Sequence, residues 1–534
     1  MTVRRHAGAA AGYVAATALS FPYFIRGEVL DLGSFVSWFS PALLLLAIRG
    51  LGPRGAWLRG LWLGLLAHAV VLHWVYVVTV DYGHAAPALG VLSCFGLALY
   101  PAVFTAAFAG LTSWLERYGV RSVFVLAALW AALDYAKSWF LTGFPWATLG
   151  YAQHENAWLT GLASLTGVYG LSFGVALAGA GVARAWEARR PTAEVWAAFG
   201  VVAALHVLGV LARPEPIAED ALRVRIAAIQ GNVDQGEKWS PERFERTLRD
   251  YEEGTREASR RGAQLVVWPE SAVPAAVELD RSVRERITSL VEEAGVVIVF
   301  GSVGAAPHPD GGVAYYDSAF FVAPDEGWLG RYDKTHLVPF GEYVPYRWLI
   351  GRVAGAIARG ISSRDVMPGL APAAASLPLR AEGGGGRPLV RVGVPICYEL
   401  VFPDLVRRFV FDGAGVLLAI TNDAWYGRSG APYQFLAMTA MRSAETGVWT
   451  VRAANTGVSA VIDERGRVRD ETSIFESAVL VADVPVRPVG SGPTVYVRFG
   501  DWFALGCWAA TAAALGWALV RGRRATSEHG ARGE

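Results

Sequence analysis

Long apolar runs near both ends of the chain set the strongest limit on its fold. Residues 1–213 and 501–521 contain stretches almost free of charge, whereas residues 222–488 have the composition of an ordinary soluble domain. Only 18% of all residues are charged, below the roughly 25% that soluble domains carry. A helix of about 20 apolar residues spans a bilayer. The pattern therefore predicts a multi-pass membrane protein with a soluble domain inserted before its last crossing.

The apolar segments divide into about eight membrane-spanning helices. The first runs to Ile25, and we interpret it as a retained helix rather than a cleaved signal peptide because further apolar segments follow at once. The other predicted crossings are residues 34–48, 57–80, 86–115, 122–139, 159–183, 193–212 and 502–520. The predicted domains are seven helices in 1–213, a soluble domain in 222–488, an eighth helix in 501–521 and a cytoplasmic tail in 522–534.

Arginines in the predicted loops indicate the orientation of these helices. They cluster in every second loop, at Arg4, Arg5, Arg49, Arg54, Arg59, Arg117, Arg121, Arg184, Arg189, Arg190, Arg521, Arg523 and Arg524. Because cytoplasmic loops carry the excess of Lys and Arg, both termini are predicted in the cytoplasm and residues 222–500 outside it. Core helices of a soluble protein would not require this alternation. The net charge of +1 gives no indication of nucleic-acid binding.

The soluble segment alternates between strand and helix patterns. Strands are predicted at 224–229, 264–268, 296–301, 316–322, 329–334, 414–421, 447–453 and 458–462, and helices at 241–261, 280–294 and 431–445. This alternation predicts an α/β sandwich whose functional side chains gather at strand ends. Residues 351–389, rich in Gly, Ala and Pro, are predicted to form either a lid or a disordered loop.

Cys397 is the candidate nucleophile of this domain. The strand pattern that starts at Val392 leads to it, and a helical pattern follows over residues 400–409. A strand-to-helix turn projects a nucleophile, and a helix N terminus favours the thiolate. A buried structural cysteine is the ordinary alternative. Cys94 and Cys507 lie in apolar segments, so the sequence indicates neither a disulfide framework nor a Cys-x-x-Cys metal site.

Two other strand ends favour catalysis over that alternative. Glu270 ends the apolar strand that starts at Leu265, and Lys334 stands beside a loop rich in Pro and Gly. Glu270 is predicted to accept the thiol proton and to return one to the leaving group. Lys334 and the backbone N–H of Tyr398 are predicted to stabilise the oxyanion. Taken singly, each residue is better explained by the ordinary alternative, a salt-bridged carboxylate for Glu270 and a surface amine for Lys334.

Three motifs resemble the Glu-Lys-Cys motifs of the nitrilase superfamily. They are the segments 268–270, 332–334 and 395–399. The membrane helices narrow the resemblance to the apolipoprotein N-acyltransferase family, to which the segments 143–146, 230–239, 336–345 and 421–425 are also similar. The resemblance covers nearly the whole chain.

The resemblance implies a bacterial inner-membrane enzyme with a periplasmic catalytic domain of the αββα-sandwich, nitrilase-like type. An acyl chain from a phospholipid would form a thioester on Cys397 and pass to the N-terminal amine of a diacylglyceryl-cysteine apolipoprotein. No cofactor, metal or nucleic acid is expected. The implied supporting residues are Glu342, Tyr398 and Glu399, and the implied substrate-binding residues are Trp239, Trp146 and Trp425. Asp317 stands where many relatives are expected to carry Asn, and its carboxylate can perturb Glu270 or Lys334.

Two other functions share parts of this pattern. A membrane-tethered amidase of the nitrilase type would use the same three residues, but it would not need eight helices or the aromatic loop 142–151. That loop is equally compatible with simple anchoring at the membrane interface. A transporter or receptor with a degenerate domain is disfavoured because the three residues are intact and ionisable side chains such as Asp134 and His73 are few in the helices.

The alternating arginines lead to a test of orientation. A reporter fused after Ala212, or within 222–488, should be active only outside the cytoplasm, and one fused after Arg524 only inside it. Paired enzymatic reporters, one active in each compartment, measure this directly. The opposite pattern would contradict the predicted compartment of the soluble domain.

Overall fold

The computed structural model describes residues 2–234, 241–308, 311–346, 366–379 and 389–530. Trp239 and most of the predicted lid, including residues 351–365 and 380–388, lie outside these ranges. The chain divides into two compact units. The helical unit is Met1–Arg213, Ser429–Met441 and Phe499–Glu534, and the α/β unit is Pro214–Arg428 and Arg442–Arg498. Residues 429–441, which lie inside the predicted soluble domain, group with the helical unit, and the predicted domain bounds stay a prediction.

The helical unit consists mainly of apolar helices, together with several 3₁₀-helices and the paired strands Tyr23–Ile25 and Glu28–Leu30. Its α-helices are Thr2–Ala18, Gly33–Val36, Ser40–Ile48, Pro53–Val71, Trp74–Val77, Pro87–Arg117, Val123–Ala136, Ala163–Thr166, Val168–Ala188, Ala193–Leu211 and Trp502–Gly530. Pro53 and Pro87 begin their helices, where a missing N–H costs no hydrogen bond. Leucine, alanine and valine side chains from several helices form one buried core.

The number of membrane crossings is only partly supported. Among the described residues, four helices are long and apolar enough to span a bilayer: Pro87–Arg117, Val168–Ala188, Ala193–Leu211 and Trp502–Arg523. Pro53–Val71 and Trp74–Tyr82 form a fifth if this pair, bent by 61°, counts as one span. Val123–Ala136 is apolar but has only 14 residues. The structure therefore supports a membrane domain, whereas the count of eight stays a prediction.

The segment Ser429–Met441 has its own polar anchor within the helical unit. The Gln434 side chain accepts a hydrogen bond from the Trp146 indole (2.7 Å) and donates to the backbone oxygens of Pro22 (3.1 Å) and Val71 (3.4 Å). The helix Ala431–Thr446 thus begins in the helical unit, and its residues from 442 onward belong to the α/β unit.

The α/β unit contains two mixed sheets. The first has the strand order Ala478–Pro485, Arg223–Gln230, Leu265–Val267, Val297–Pro307, Val313–Ala323 and Gly327–Asp333, with Val273–Ala276 also paired to Val297–Pro307. The second has the order Val468–Glu471, Ala460–Ile462, Trp449–Ala454, Val416–Thr421, Leu389–Gly393 and Ala375–Pro378. Strands are observed at all the predicted positions, with ends shifted by a few residues, and the α/β class is confirmed.

Three helices of the α/β unit follow the predicted pattern. They are Pro241–Arg260, Arg281–Ala294 and Pro403–Phe411. The second begins after Asp280, whose carboxylate accepts from two backbone N–H groups, and it ends at Gly295, whose φ of +65° favours glycine. Side chains of the first two helices share a buried core with the first sheet. The layer order of an αββα sandwich stays a prediction.

Parallel pairing explains why functional side chains gather. Arg223–Gln230, Leu265–Val267 and Val297–Pro307 run parallel to one another, as do Leu389–Gly393, Val416–Thr421 and Trp449–Ala454. The carboxyl ends of parallel strands meet at one edge of a sheet. Residues that directly follow these strands therefore lie at common edges.

A substitution at Gly393 tests how tightly the segment before Cys397 is packed. A Cβ atom at this position would lie 2.6 Å from Phe409 Cβ and 2.8 Å from Leu417 Cδ2. Gly393→Ala should therefore lower the free energy of unfolding by about 1–3 kcal/mol, the usual cost of overpacking. The thermal-melting midpoint of the purified protein measures this. Gly492→Ala is the control, because a Cβ there meets nothing within 4 Å; equal midpoints for both variants would contradict the tight packing.

Candidate active site

Lys334 lies at the centre of a buried cluster of charged groups. It directly follows the strand Gly327–Asp333, and its side chain is 0% exposed. Its ammonium donates to Glu270 Oε1 (2.9 Å), to Asp317 Oδ2 (3.0 Å) and to Glu342 Oε1. An ammonium has three hydrogens, so each is matched by one carboxylate. The alternative of a surface amine is wrong.

The three carboxylates keep this ammonium charged. Burial alone would lower the pKa of Lys334, but the negative charges, that of Glu270 foremost, raise it well above its ordinary value. Burial also raises the pKa of Glu342, although Lys334 opposes that effect. Because all three ammonium hydrogens are engaged, Lys334 can donate to an oxyanion only by exchanging one of its carboxylate partners.

Glu270 is positioned by a tightly packed strand end. The strand Leu265–Val267 leads into Trp268, whose buried indole donates to Thr255 Oγ1 (3.0 Å). Gly301 on the neighbouring strand leaves room for the turn, because a Cβ there would lie 2.5 Å from Glu270 Cα. The backbone is thus fixed on both sides of the carboxylate. The Glu270 side chain is buried.

Cys397 occupies a strained turn. The strand Leu389–Gly393 ends before it, a 3₁₀-helix spans Cys397–Val401, and the α-helix begins only at Pro403 rather than at residue 400 as predicted. The φ of Cys397 is +47°, a region that non-glycine residues rarely adopt. Such strain costs about 1–3 kcal/mol and clusters at functional sites. The residue is 8% exposed, and Glu270 and Lys334 act on it electrostatically.

Glu399 connects the cysteine turn to the segment after Lys334. Its Oε2 accepts from the Ile396 backbone N–H (2.8 Å). Its Oε1 accepts from the Tyr332 hydroxyl (2.7 Å) and from the backbone N–H of Thr335 (2.7 Å). Burial raises the pKa of Glu399, and these donors oppose that rise. The fully buried carboxylate therefore joins the turn before Cys397 to residues on both sides of Lys334.

The other predicted residues have different surroundings. Tyr398 lies near His336, with ring centroids 5.7 Å apart, in the same unit as the cluster. Trp425 is 40% exposed and belongs to the 3₁₀-helix Asp423–Tyr426. Trp146 is buried in the helical unit, where it bonds to Gln434. The substrate-binding roles of Trp146, Trp239 and Trp425 stay predictions.

Two groups near Cys397 are not among the predicted site residues. Asp423 is fully buried, pairs with Arg452 (2.8 Å) and has a pKa raised by burial. Burial also raises the pKa of the Tyr426 hydroxyl far above its ordinary value, with a further contribution from Cys397. The motif 421–425 contains Asp423 and ends one residue before Tyr426. The position of both residues directly after a predicted strand is the feature of the sequence that could have indicated them.

The same carboxylates resemble a metal site by composition. Oxygens of Glu270, Asp317 and Glu342 lie within 4.8 Å of one another, a set that could hold a cation. The Lys334 ammonium, at hydrogen-bond distance from all three, supplies the positive charge there. A second such group, Asp31, His154 and Glu155, lies in the helical unit.

Burial makes Cys397 a protonated thiol in the resting protein. Burial, reinforced by Glu270, raises its pKa well above that of an ordinary thiol, and Lys334 only partly opposes this. Iodoacetamide should therefore alkylate Cys397 much more slowly at neutral pH than it alkylates a free peptide thiol, and the rate should rise with pH beyond the range where the peptide levels off. Peptide mapping by mass spectrometry measures the rate at this residue. Faster alkylation than the peptide thiol at pH 7 would mean that the thiolate is already formed.

Comparison with known proteins identifies the family. Residues 225–493 match the family described as carbon-nitrogen hydrolase, and residues 15–181 match the apolipoprotein N-acyltransferase N-terminal domain. An apolipoprotein N-acyltransferase of Geobacter metallireducens is 39% identical over 92% of both chains, and one of Azotobacter vinelandii is 36% identical over 91% of this chain and 90% of its own. An amidase from Nesterenkonia sp. AN1 aligns with 53% of this chain and 99% of its own, at 19% identity and a TM-score of 0.37. The chain belongs to the apolipoprotein N-acyltransferase family.

Proposed function

We propose that this acyltransferase takes an acyl chain from a membrane phospholipid and carries it on Cys397 as a thioester. The acyl chain then passes to the N-terminal amine of a diacylglyceryl-cysteine apolipoprotein. Family membership supports N-acylation of lipoproteins, and the apolar helices fit a membrane enzyme. We further propose that the α/β unit faces the periplasm and that both termini are cytoplasmic, as the loop arginines indicate.

One observation carries the chemical part of this proposal. Glu270, Lys334 and Cys397 come from three distant parts of the sequence, yet they act on one another within a single buried cluster. A nucleophile with an adjacent carboxylate base and a cation is suited to acyl transfer through a covalent intermediate. Burial excludes water, which would otherwise hydrolyse that intermediate.

The first half-reaction forms the thioester. Glu270 accepts the proton of Cys397 Sγ, and the sulfur attacks the ester carbonyl carbon of the phospholipid. The tetrahedral intermediate collapses with cleavage of the ester C–O bond. Glu270 returns the proton to the departing oxygen, so that a lysophospholipid leaves as the neutral alcohol. The carboxylate is thereby regenerated.

The second half-reaction uses the same groups in the same order. The free amine of the acceptor attacks the thioester carbonyl and loses a proton to Glu270. Collapse breaks the C–S bond, the amide leaves, and the Cys397 sulfur recovers the proton from Glu270. No net proton is gained or lost by the enzyme. An acceptor whose amine is already acylated has no nucleophile and cannot clear the thioester.

The oxyanion of each tetrahedral intermediate needs a hydrogen-bond donor, and that donor must become free of its other partners as the intermediate forms. Lys334 has no spare hydrogen while it donates to Glu270, Asp317 and Glu342 together. When Glu270 takes the thiol proton, it becomes a weaker acceptor for the ammonium. One Lys334 hydrogen can then turn to the oxyanion, with the backbone N–H of Tyr398 as the proposed second donor.

Intact mass spectrometry tests the intermediate. Phospholipid alone should add one acyl mass to Cys397 and release a lysophospholipid, because a ping-pong route needs no second substrate for this step. The adduct should be labile to hydroxylamine and absent in Cys397→Ala. Glu270→Gln, which cannot accept the thiol proton, should form the adduct at least about 100-fold more slowly.

The acceptor step separates the transferase from the amidase alternative. A diacylglyceryl peptide with a free N-terminus should clear the adduct and become acylated, whereas its N-acetylated form, the matched control, should leave the adduct in place. A membrane-tethered amidase would lose the label to water at the same rate with either peptide. That result would overturn the proposed acceptor.

A further inference from the structure

The active-site cluster contains more acidic groups than one ammonium can neutralise. Lys334 contacts Glu270, Asp317 and Glu342, and the three carboxyl oxygens lie within 4.8 Å of one another. If all three were ionised, the cluster would carry two excess negative charges in a site that must then form a thiolate. Buried like charges at this separation disfavour ionisation of one member. The described reaction uses Glu270, which leaves the roles of the other two open.

Asp317 is the carboxyl group placed to hold a proton. It lies on the strand Val313–Ala323, its backbone oxygen accepts from the Lys334 N–H (2.8 Å), and its side chain is mostly buried. One of its carboxyl oxygens lies within 4.8 Å of a Glu270 carboxyl oxygen, and the proximity of Glu270 contributes to a raised pKa of Asp317. Two carboxylates cannot hydrogen-bond to each other unless a proton lies between them.

Glu342 is less suited to this role. Its Oε2 accepts from the Val338 backbone N–H (2.9 Å), and its Oε1 accepts from Lys334. Both oxygens thus face donors, an arrangement that favours the ionised form. Asp317 instead accepts from one donor, Lys334, and lies beside the Glu270 carboxyl group, an arrangement that suits a neutral carboxylic acid.

We propose that Asp317 carries a proton in the resting enzyme and donates it in a hydrogen bond to Glu270, so that Asp317 acts as a positioning residue. Glu270 then remains the ionised acceptor for the Cys397 proton. The Asp317 proton stays in place throughout both half-reactions, and no atom of Asp317 is transferred. This inference rests on the proposed role of Glu270 in the acyl transfer.

The titration of Asp317 gives the proposal a pH dependence. Burial raises the pKa of Asp317 to about 7, and Glu270 adds to the rise while Lys334 opposes it. Lys334, Glu270 and Glu342 act on Asp317 electrostatically, and Cys397, whose alkylation is the readout, is acted on by Glu270, Lys334 and Asp423. Below that pKa Asp317 is neutral, and above it the added negative charge makes the Cys397 thiolate harder to form. Reactivity of Cys397 should therefore be restrained above pH 7 in the wild type.

Asp317→Asn imitates the protonated acid at every pH. The amide oxygen can accept from Lys334 and the amide N–H can donate to Glu270, as the neutral carboxyl does. The ratio of iodoacetamide alkylation rates at Cys397, variant over wild type, should be close to one at about pH 5.5 and should rise to about tenfold at about pH 8.5, since tenfold corresponds to one pKa unit. Asp325→Asn, on an exposed turn where φ is +65° and Asn is tolerated, is the matched control and should give a flat ratio.

A ratio for Asp317→Asn that stays at one up to pH 8.5 would overturn the proposed titration near pH 7, because Asp317 would then keep its proton throughout. A raised ratio already at pH 5.5 would also overturn it, because Asp317 would be ionised there. If the variant does not fold, infrared spectroscopy of wild-type protein with isotope-labelled aspartate replaces it. A protonated aspartic-acid carbonyl band should be lost with a midpoint near pH 7, and its absence at pH 5.5 would contradict the proposal.

These measurements separate the inference from the proposed function. Alkylation and infrared bands need neither phospholipid nor acceptor, so they report on Asp317 even if no acyl adduct forms. Acyl transfer by Asp317→Asn adds the catalytic readout: activity should persist above pH 7.5 where the wild type declines, while Asp317→Ala should lose activity at all pH values because it cannot orient Glu270. Equal pH profiles for wild type and Asp317→Asn would contradict the titration of Asp317 near pH 7, and full activity of Asp317→Ala would contradict the positioning role, whatever the substrate is.

Discussion

The Lys334 ammonium is the contact on which the geometry of the active site depends. It is the shared partner of carboxyl groups from a strand end, a neighbouring strand and a loop, namely Glu270, Asp317 and Glu342. Each of these carboxyl groups would be costly to bury as a lone anion, and if all were ionised they would repel one another. The ammonium offsets that cost only while all of them stay within hydrogen-bond reach. The position of each carboxyl group is therefore tied to the others through one nitrogen.

Glu399 fixes the positions of two backbone segments, as Lys334 fixes those of the carboxyl groups. It binds N–H groups on the cysteine turn and on the segment after Lys334, so the nucleophile and the cation are held by the same carboxylate. The strained φ of Cys397 persists because its surroundings are fixed on both sides. Two buried acidic networks thus hold the site. The carboxyl groups around Lys334 position the reacting side chains, and Glu399 positions the backbone.

The sequence predicted those parts of the fold that depend on local pattern. Strand positions followed from apolar runs, and Glu270, Lys334 and Cys397 stood at or near their ends as expected. Asp317 was visible only as a departure from the family, because its contact with Lys334 depends on strand pairing, which periodicity does not report. Hydropathy also did not determine the number and bounds of the membrane crossings, because it reports only the composition of a segment. The bend of 61° after Val71 and the 14-residue length of Val123–Ala136 depend on packing.

The anchoring of Ser429–Met441 bears on how the chain can be divided. The α/β unit is discontinuous in sequence, because this segment separates its two parts and has its partners at Pro22, Val71 and Trp146. A soluble fragment cut at residues 214 and 498 would still carry it. Phe435 and its neighbours, buried in the whole chain, would then be exposed to water and would favour aggregation. A soluble α/β fragment therefore requires that the apolar side chains of Ser429–Met441 be redesigned.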